Sequence, residues 1–195
     1  MERPLDTDPD GSTPLADEEL NDLIPSHIST RAELNQAEHD NIQDAWLWVR
    51  KKARNPLDVP FLAKLHKRMF GQVWRWAGRF RKTEKNLGIP SHQIQVALRQ
   101  LVDDVQYQLD YQVCPPDELA VRFHHRLVVI HPFPNGNGRH GRMATDMLLR
   151  YMGRPPFTWG SADLTSSSII RSRYIEALQA ADRGDYCPLM AFVRS

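Results

Sequence analysis

The stretch HPFPNGNGRHGR, residues 131–142, decides how the rest of the chain is read. It follows an aliphatic run, Leu127 to Ile130, and packs three glycines, two asparagines and two arginines into twelve positions. Glycines that bracket Asn137 let successive backbone N–H groups turn inward and form an anion nest. A helix that starts there adds its unpaired N–H groups and the positive end of its dipole. Arg139 and Arg142 stand three apart, so they share a helix face and can grip one polyphosphate. His131 stands at the rim as a group titrating near neutral pH, which suits a general base. The string reads as a phosphate cradle with a base at its mouth. Read only as a tight corner, the same segment would put Arg142 in an ion pair with Asp146, four positions on.

Outward from the cradle the period is helical on both sides, so the fold class is mostly α. Pro115-Pro116-Asp117-Glu118 is a helix start, with proline in the first turn and acids at the positive dipole end; that helix carries Val121, Leu127 and Val128 toward His131. Past the glycines, Met143, Met147, Leu148 and Tyr151 mark the next helix, stopped by Gly153. Upstream, Leu34, Ala37, Ile42, Ala45, Trp46 and Val49 recur at three- and four-residue spacing over a helix within 30–54. Leu62, Leu65, Met69 and Phe70 predict another, closed by Gly71. Ser91 can cap a third, with Ile94, Leu98, Leu101, Val102 and Val105 inward. Residues 166–182 and 188–193 complete the helices. Only residues 80–89 lack the period, and they predict a small hairpin.

Composition narrows the classes. With 41% hydrophobic residues the chain can fill a core of ordinary size. It has no run of 18 apolar residues, so no membrane span is expected. The N-terminus has neither a basic start nor an apolar centre, and with no secretory signal a cytoplasmic location is expected. Cys114 and Cys187 fit no metal spacing and read as reduced thiols. Residues 1–25 hold eight acids against one base, a net of −7, while the remainder carries +8. The first segment reads as a flexible or loosely docked acidic arm and 26–195 as the folded domain. The basic body favours an anionic ligand.

At residues 131–142 the sequence resembles the Fic/Doc family, whose pattern is His-Pro-Phe, any residue, Asp or Glu, Gly-Asn-Gly-Arg, two residues, Arg. Eleven of the twelve positions satisfy it. The likeness extends to LHKRMFGQVWRWAGRFR (65–81) and YIEALQAADRGDYCPLMAFV (174–193), and the subgroup it most resembles is labelled mobile mystery protein B. The resemblance implies a Fic-type helical bundle with a β-hairpin flap. It implies a nucleotidyltransferase that moves AMP from ATP onto a Ser, Thr or Tyr hydroxyl of a target protein or of itself. His131 would be the base, with Asn137 and Arg139 completing the catalytic set. The phosphates would lie on Gly136, Asn137, Gly138, Arg139 and Arg142. A related phosphoryl or nucleotidyl transfer fits the same cradle.

The fifth position departs from the pattern. The family's acid there implies a Mg²⁺ ligand; here it is Asn135, an amide oxygen without the charge a hard cation prefers. Attenuated catalysis, or a nucleotide-binding regulator with catalysis lost, follows as an alternative. The resemblance also implies a self-inhibiting helix whose glutamate pairs with the second motif arginine. Ser29-Thr30-Arg31-Ala32-Glu33 matches that signature except at its last position, Leu34, so Glu33 is the regulatory candidate. Thr30 and Glu33 are equally spaced for a capping box.

Residues 80–89 would be the flap that clamps a target by strand addition, with Lys82, Thr83 and Glu84 in register. Trp74 and Trp76, beside Arg75, Arg79 and Arg81, read as core residues with arginines snorkelling outward. Base stacking on nucleic acid is the alternative. The expected partners are therefore a nucleotide and a target protein rather than nucleic acid or membrane. His124, His125 and His140 read as structural, and His66 and His92 carry no signal.

Overall fold

Pro116 opens the helix before the glycine-rich loop, and two residues of left-handed conformation, His131 and Gly136, separate it from the helix that follows. The computed structural model describes residues 15–51, 54–161 and 169–195. Eight α-helices lie in these segments: α1 (Asp17–Leu20), α2 (Arg31–Arg50), α3 (Val59–Phe70), α4 (Ile94–Asp110), α5 (Pro116–Ile130), α6 (Asn137–Tyr151), α7 (Ile169–Asp182) and α8 (Cys187–Val193). The mostly α expectation holds. The arm's residues 1–14, residues 52–53 of the predicted first helix and residues 166–168 of the predicted sixth lie outside the described residues.

The antiparallel neighbours α5 and α6 form the centre. Leu119, Phe123, Leu127 and Ile130 of α5 face the larger core, with Met143, Ala144, Met147 and Leu148 of α6 and the buried faces of α2, α3 and α4. Ala120 and Val121 of α5 and Leu149 of α6 face a smaller core closed by α7 and α8 through Tyr174, Ala177, Leu189 and Phe192. The α5–α6 connection is thus held from both sides. Truncating a side chain such as Phe123, which is fully buried, would cost about 3–5 kcal/mol.

Local chemistry fixes the ends. Thr30 accepts the Glu33 N–H at 3.3 Å, and Glu33 Oε2 accepts the Ser29 and Thr30 N–H groups at 2.8 and 3.0 Å, a complete capping box for α2. Asp58 caps α3 through the Phe61 N–H at 2.9 Å. Asn41 joins α2 to the end of α3, donating to the Arg68 carbonyl at 3.0 Å and accepting from Gln72 N at 2.9 Å. Glu84, rather than Ser91, supplies the cap before α4: it accepts the Ser91 N–H and hydroxyl at 2.9 and 2.8 Å, and α4 is entered through a 3₁₀ turn.

One expectation divides and one fails. Of the two readings of the arm, residues 15–25 take the docked one rather than the flexible one. Ile24 N donates to Val73 O at 2.8 Å and Arg75 N to Asp22 O at 2.9 Å around an isolated antiparallel bridge, Leu23 with Trp74. Leu15, Leu20 and Leu23 pack on the larger core, and the apolar spacing outweighs the acidic composition. Residues 80–89 do not form a hairpin. The buried Arg81 guanidinium donates to three carbonyls, those of His131 (2.7 Å), Thr83 (3.0 Å) and Ile89. The segment therefore closes around a side chain instead of a strand ladder. Among the described residues, the Leu23–Trp74 bridge is the one β pairing.

Candidate active site

His131 ends α5 in the left-handed region (φ 52, ψ 60), with its N–H on the Leu127 carbonyl at 3.3 Å. This turn is uncommon for a residue with a side chain, and it throws the chain sharply out of the helix. Gly136 (φ 76) reverses it again at the cap of α6; a Cβ there would meet the Phe70 ring at 2.6 Å. Between the two, Phe133 is fully buried and stacks on His66, ring centroids 3.7 Å apart.

Asn137 closes the loop. Its Oδ1 accepts the Phe133 N–H at 2.9 Å and its Nδ2 donates to the Phe133 carbonyl at 2.8 Å. Both ends of the amide are engaged within the loop, and the residue is buried. What remains for an anion is the first-turn backbone of α6. Gly138 is open, since a Cβ there would meet nothing nearer than Arg142 Nη1 at 3.9 Å.

His131, Gly136, Asn137, Gly138, Arg139 and Arg142 line one cavity of about 510 Å³. His131 is buried, and its ring donates to the Val128 carbonyl. Burial first, and the nearby Arg81 and Lys85 charges second, push its pKa down to about 4. The imidazole is therefore neutral throughout the physiological range rather than titrating near neutrality. With one nitrogen holding its proton on Val128, the other carries a lone pair. Gly88 packs against it: a Cβ there would sit 2.6 Å from His131 Cβ.

The two arginines differ. Arg139 Nη1 donates to Glu38 Oε2 at 2.6 Å, and its guanidinium lies 4.9 Å from the Phe70 ring centroid. Arg142 hydrogen-bonds Tyr174, which in turn meets His124 Nε2 at 2.7 Å. The alternative Arg142–Asp146 ion pair does not form. Asp146 accepts from Trp159 Nε1 and the Phe157 N–H, both at 3.1 Å, and burial pushes its pKa up to about 7.

Glu33, the regulatory candidate, is spent on the cap; the Ser29 and then the Thr30 N–H groups hold its carboxyl down at about 2. Glu38, five residues further along α2, lines the cavity instead. It is buried, with Oε1 on Trp74 Nε1 at 2.7 Å and Oε2 on Arg139. Sequence reasoning missed it because its partners lie 36 and 101 positions away. His66, which carried no signal, is also part of the site. Its Nδ1 accepts the Gly78 N–H at 3.0 Å, so its Nε2 donates to the Asn135 carbonyl at 3.1 Å. His125, read as structural, lines the far end of the cavity.

The residues present do not build a resident metal site. Asn135 Oδ1 is turned onto the Gly136 N–H at 2.6 Å, and the Glu38 carboxylate is held by two donors. Among the described residues no cluster of three His, Cys, Asp or Glu side chains could hold a metal ion. Of the flap candidates, Lys82 is exposed, Thr83 donates to Glu19 Oε1 at 3.2 Å, and Glu84 caps Ser91. Trp74 and Trp76 are buried and stacked, 5.0 Å between centroids, which leaves neither face for a nucleobase. Among the described residues no helix is long and apolar enough to cross a membrane.

Comparison with known proteins agrees with this geometry. The family model described as Fic/DOC matches residues 56–149. A protein adenylyltransferase Fic from Nematostella vectensis is 30% identical over 141 residues, covering 70% of this chain and 31% of that protein. Protein adenylyltransferase fic-1 from Caenorhabditis elegans is 25% identical over 147 residues, 73% of this chain and 27% of that protein. The chain thus spans less than a third of the length of either relative. The N-terminal Fic domain of a VirB-translocated Bep effector from Bartonella quintana superposes with a TM-score of 0.72 at 19% identity, over 90% of this chain and 91% of that one. BepC from Bartonella tribocorum, solved with bound AMPPNP, gives 0.67 at 19% identity, over 92% and 97%. With the cradle, the helical order and these matches in agreement, the chain belongs to the Fic/DOC family.

Proposed function

We propose that the chain transfers AMP from ATP to a Ser, Thr or Tyr hydroxyl of a target protein or of itself. The observation that carries this reading is the convergence of a neutral His131 and the α6 cradle on one cavity. The lone pair of His131 takes the hydroxyl proton. The oxygen bonds to the α-phosphorus in line, the bond to the β-phosphate oxygen breaks, and pyrophosphate leaves. The first-turn amides of α6 and Arg142 offset the negative charge of the phosphates. Arg139 joins them when it exchanges Glu38 for phosphate. The adenylyltransferase names of the relatives and the AMPPNP in BepC support this reading. Mg²⁺, on this view, arrives with the triphosphate, and a protein target docks at residues 82–88, which are exposed except at Lys85. We place the reaction in the cytoplasm.

Incubation with α-labelled ATP should label the protein itself or a lysate, and His131→Ala should abolish the label while leaving the fold intact. Label that arrives only from γ-labelled ATP would replace this reading with phosphoryl transfer. A second reading, a nucleotide-binding regulator with lost catalysis, is favoured by Asn135 in place of an acid. It predicts ATP binding with no transfer under either label.

A further inference from the structure

The two arginines of the cavity wall are held by chemically different partners. Arg139 is met by the Glu38 carboxylate, Arg142 by the Tyr174 hydroxyl. That hydroxyl belongs to a chain whose hydrogens can be placed one by one. Thr145 Oγ1 donates to the Gly141 carbonyl at 2.8 Å, which uses its only hydrogen. Toward His124 Nδ1, 3.4 Å away, it can then only accept, so Nδ1 carries the hydrogen. The Gly141 carbonyl accepts from the same ring. His124 is fully buried, and burial holds its pKa down at about 3, so the ring is neutral and Nε2 keeps a lone pair. Tyr174 lies 2.7 Å from Nε2 and donates to it. The phenol oxygen is left to accept, and Arg142 supplies the N–H.

The chain therefore runs from Arg142 through Tyr174, His124 and Thr145 to Gly141, and it ends on α6 one residue before the arginine where it began. α5 and α7 supply one member each, so the guanidinium is fixed against three helices. A carboxylate in the place of Tyr174 would fix it too, but would offset its charge, as Glu38 does for Arg139. Asp146, four residues on, is engaged by Trp159 and Phe157 instead. Burial raises the pKa of the Tyr174 phenol, which therefore stays neutral. A neutral acceptor orients the fork and leaves its charge and its other N–H groups for an anion. We infer that Tyr174 and His124 are positioning residues that aim Arg142 at the polyphosphate without neutralising it. This inference rests on the nucleotide reading of the cavity given above.

The test is a double-mutant cycle on the full chain. Dissociation constants for ATP are measured by calorimetry on the wild type, Tyr174→Phe, Arg142→Ala and the double variant. Tyr174→Phe removes one oxygen and keeps the ring against Phe192 in the smaller core. It should weaken ATP binding about tenfold or more, the range of a hydrogen bond to a charged group. In the Arg142→Ala background the same change should have almost no effect, because the residue it acts through is gone. A loss of packing alone would cost the same factor in both backgrounds. A second pair of variants reads the chain from His124, away from the cavity wall. His124→Gln can present an amide oxygen to the Tyr174 hydroxyl and should bind ATP nearly as the wild type does. His124→Leu offers no acceptor and should show the loss seen in Tyr174→Phe. Equal factors in the two backgrounds, no loss in Tyr174→Phe, or equal losses in the two His124 variants overturns the inference and leaves the nucleotide reading standing. Failure of the wild type to bind ATP overturns both.

Discussion

Glu38 and Arg139 meet at 2.6 Å on the wall of the cavity, 101 residues apart in sequence. The contact joins α2 to the start of α6 and occupies a guanidinium that the proposed reaction assigns to phosphate. The carboxylate is buried, so the pair is little screened by solvent.

Glu38→Gln should therefore raise self-labelling by α-labelled ATP, on the order of tenfold if one charge-assisted phosphate contact is gained. Glutamine keeps an acceptor for the Trp74 indole, so the fold should hold. Glu33→Gln should lower thermal stability through the α2 cap and leave labelling unchanged. Quantitative autoradiography of both variants beside the wild type checks this. A gain from Glu33→Gln, with none from Glu38→Gln, would reverse the assignment.

Activity should be flat with pH from about 5 to 8 and fall only near pH 4, where His131 takes a proton. An ordinary imidazole would instead give a limb near 6.5. A rate profile of single-turnover labelling separates the two.

Stability should fall on acidification below pH 6.5. His131 and His140 stay neutral in the fold down to about 4, His124 to about 3, and His66 well below 6.5, chiefly because they are buried. The unfolded chain binds protons at these four sites from about 6.5 downward. Each site then lowers stability by about 1.4 kcal/mol per pH unit until its folded pKa is reached. Asp146, raised to about 7 from 3.8, acts with the opposite sign over the same interval, one group against four. Calorimetric melting at pH 7, 6 and 5 should show a steep decline.

Asn135→Asp should increase transfer in the presence of Mg²⁺ and lose that gain with a chelator. The substitution preserves the acceptor for the Gly136 N–H and adds the charge a hard cation prefers. An unchanged rate would remove position 135 from the explanation of any slow turnover.

Glu19→Gln should loosen the segment 82–88. Glu19 accepts from Thr83 and pairs with Lys85, while its carbonyl accepts the Trp76 indole N–H at 3.1 Å. Hydrogen exchange should quicken over 82–88 and stay slow in α5 and α6. Unaltered exchange would mean that Arg81 alone holds the segment.

The helices that carry the site were legible because each repeats apolar residues every three or four positions and ends on recognisable chemistry, as with Pro116 and Gly71. The turn that lines the cavity was legible because its geometry is local: Gly136, Asn137 and Gly138 lie next to one another. What escaped depends on distant partners. Glu38 reads as an exposed helix charge until Trp74 and Arg139 fold against it, and His66 is unremarkable until Asn135 lies beside it. Residues 15–25 were obscured by their own acids, although Leu15, Leu20 and Leu23 carry the packing. The hairpin failed because Arg81 claims carbonyls that a strand ladder would need.

The double clasp of Asn137 on Phe133 has a thermodynamic consequence. Ordering backbone on ligand arrival would cost about 1–2 kcal/mol per residue in lost freedom. Here the loop that leads into the first-turn amides of α6 is already fixed by the Asn137 side chain before any anion arrives. Affinity is then spared that entropic loss, and a substitution that opens the clasp should weaken every triphosphate alike, whatever base it bears.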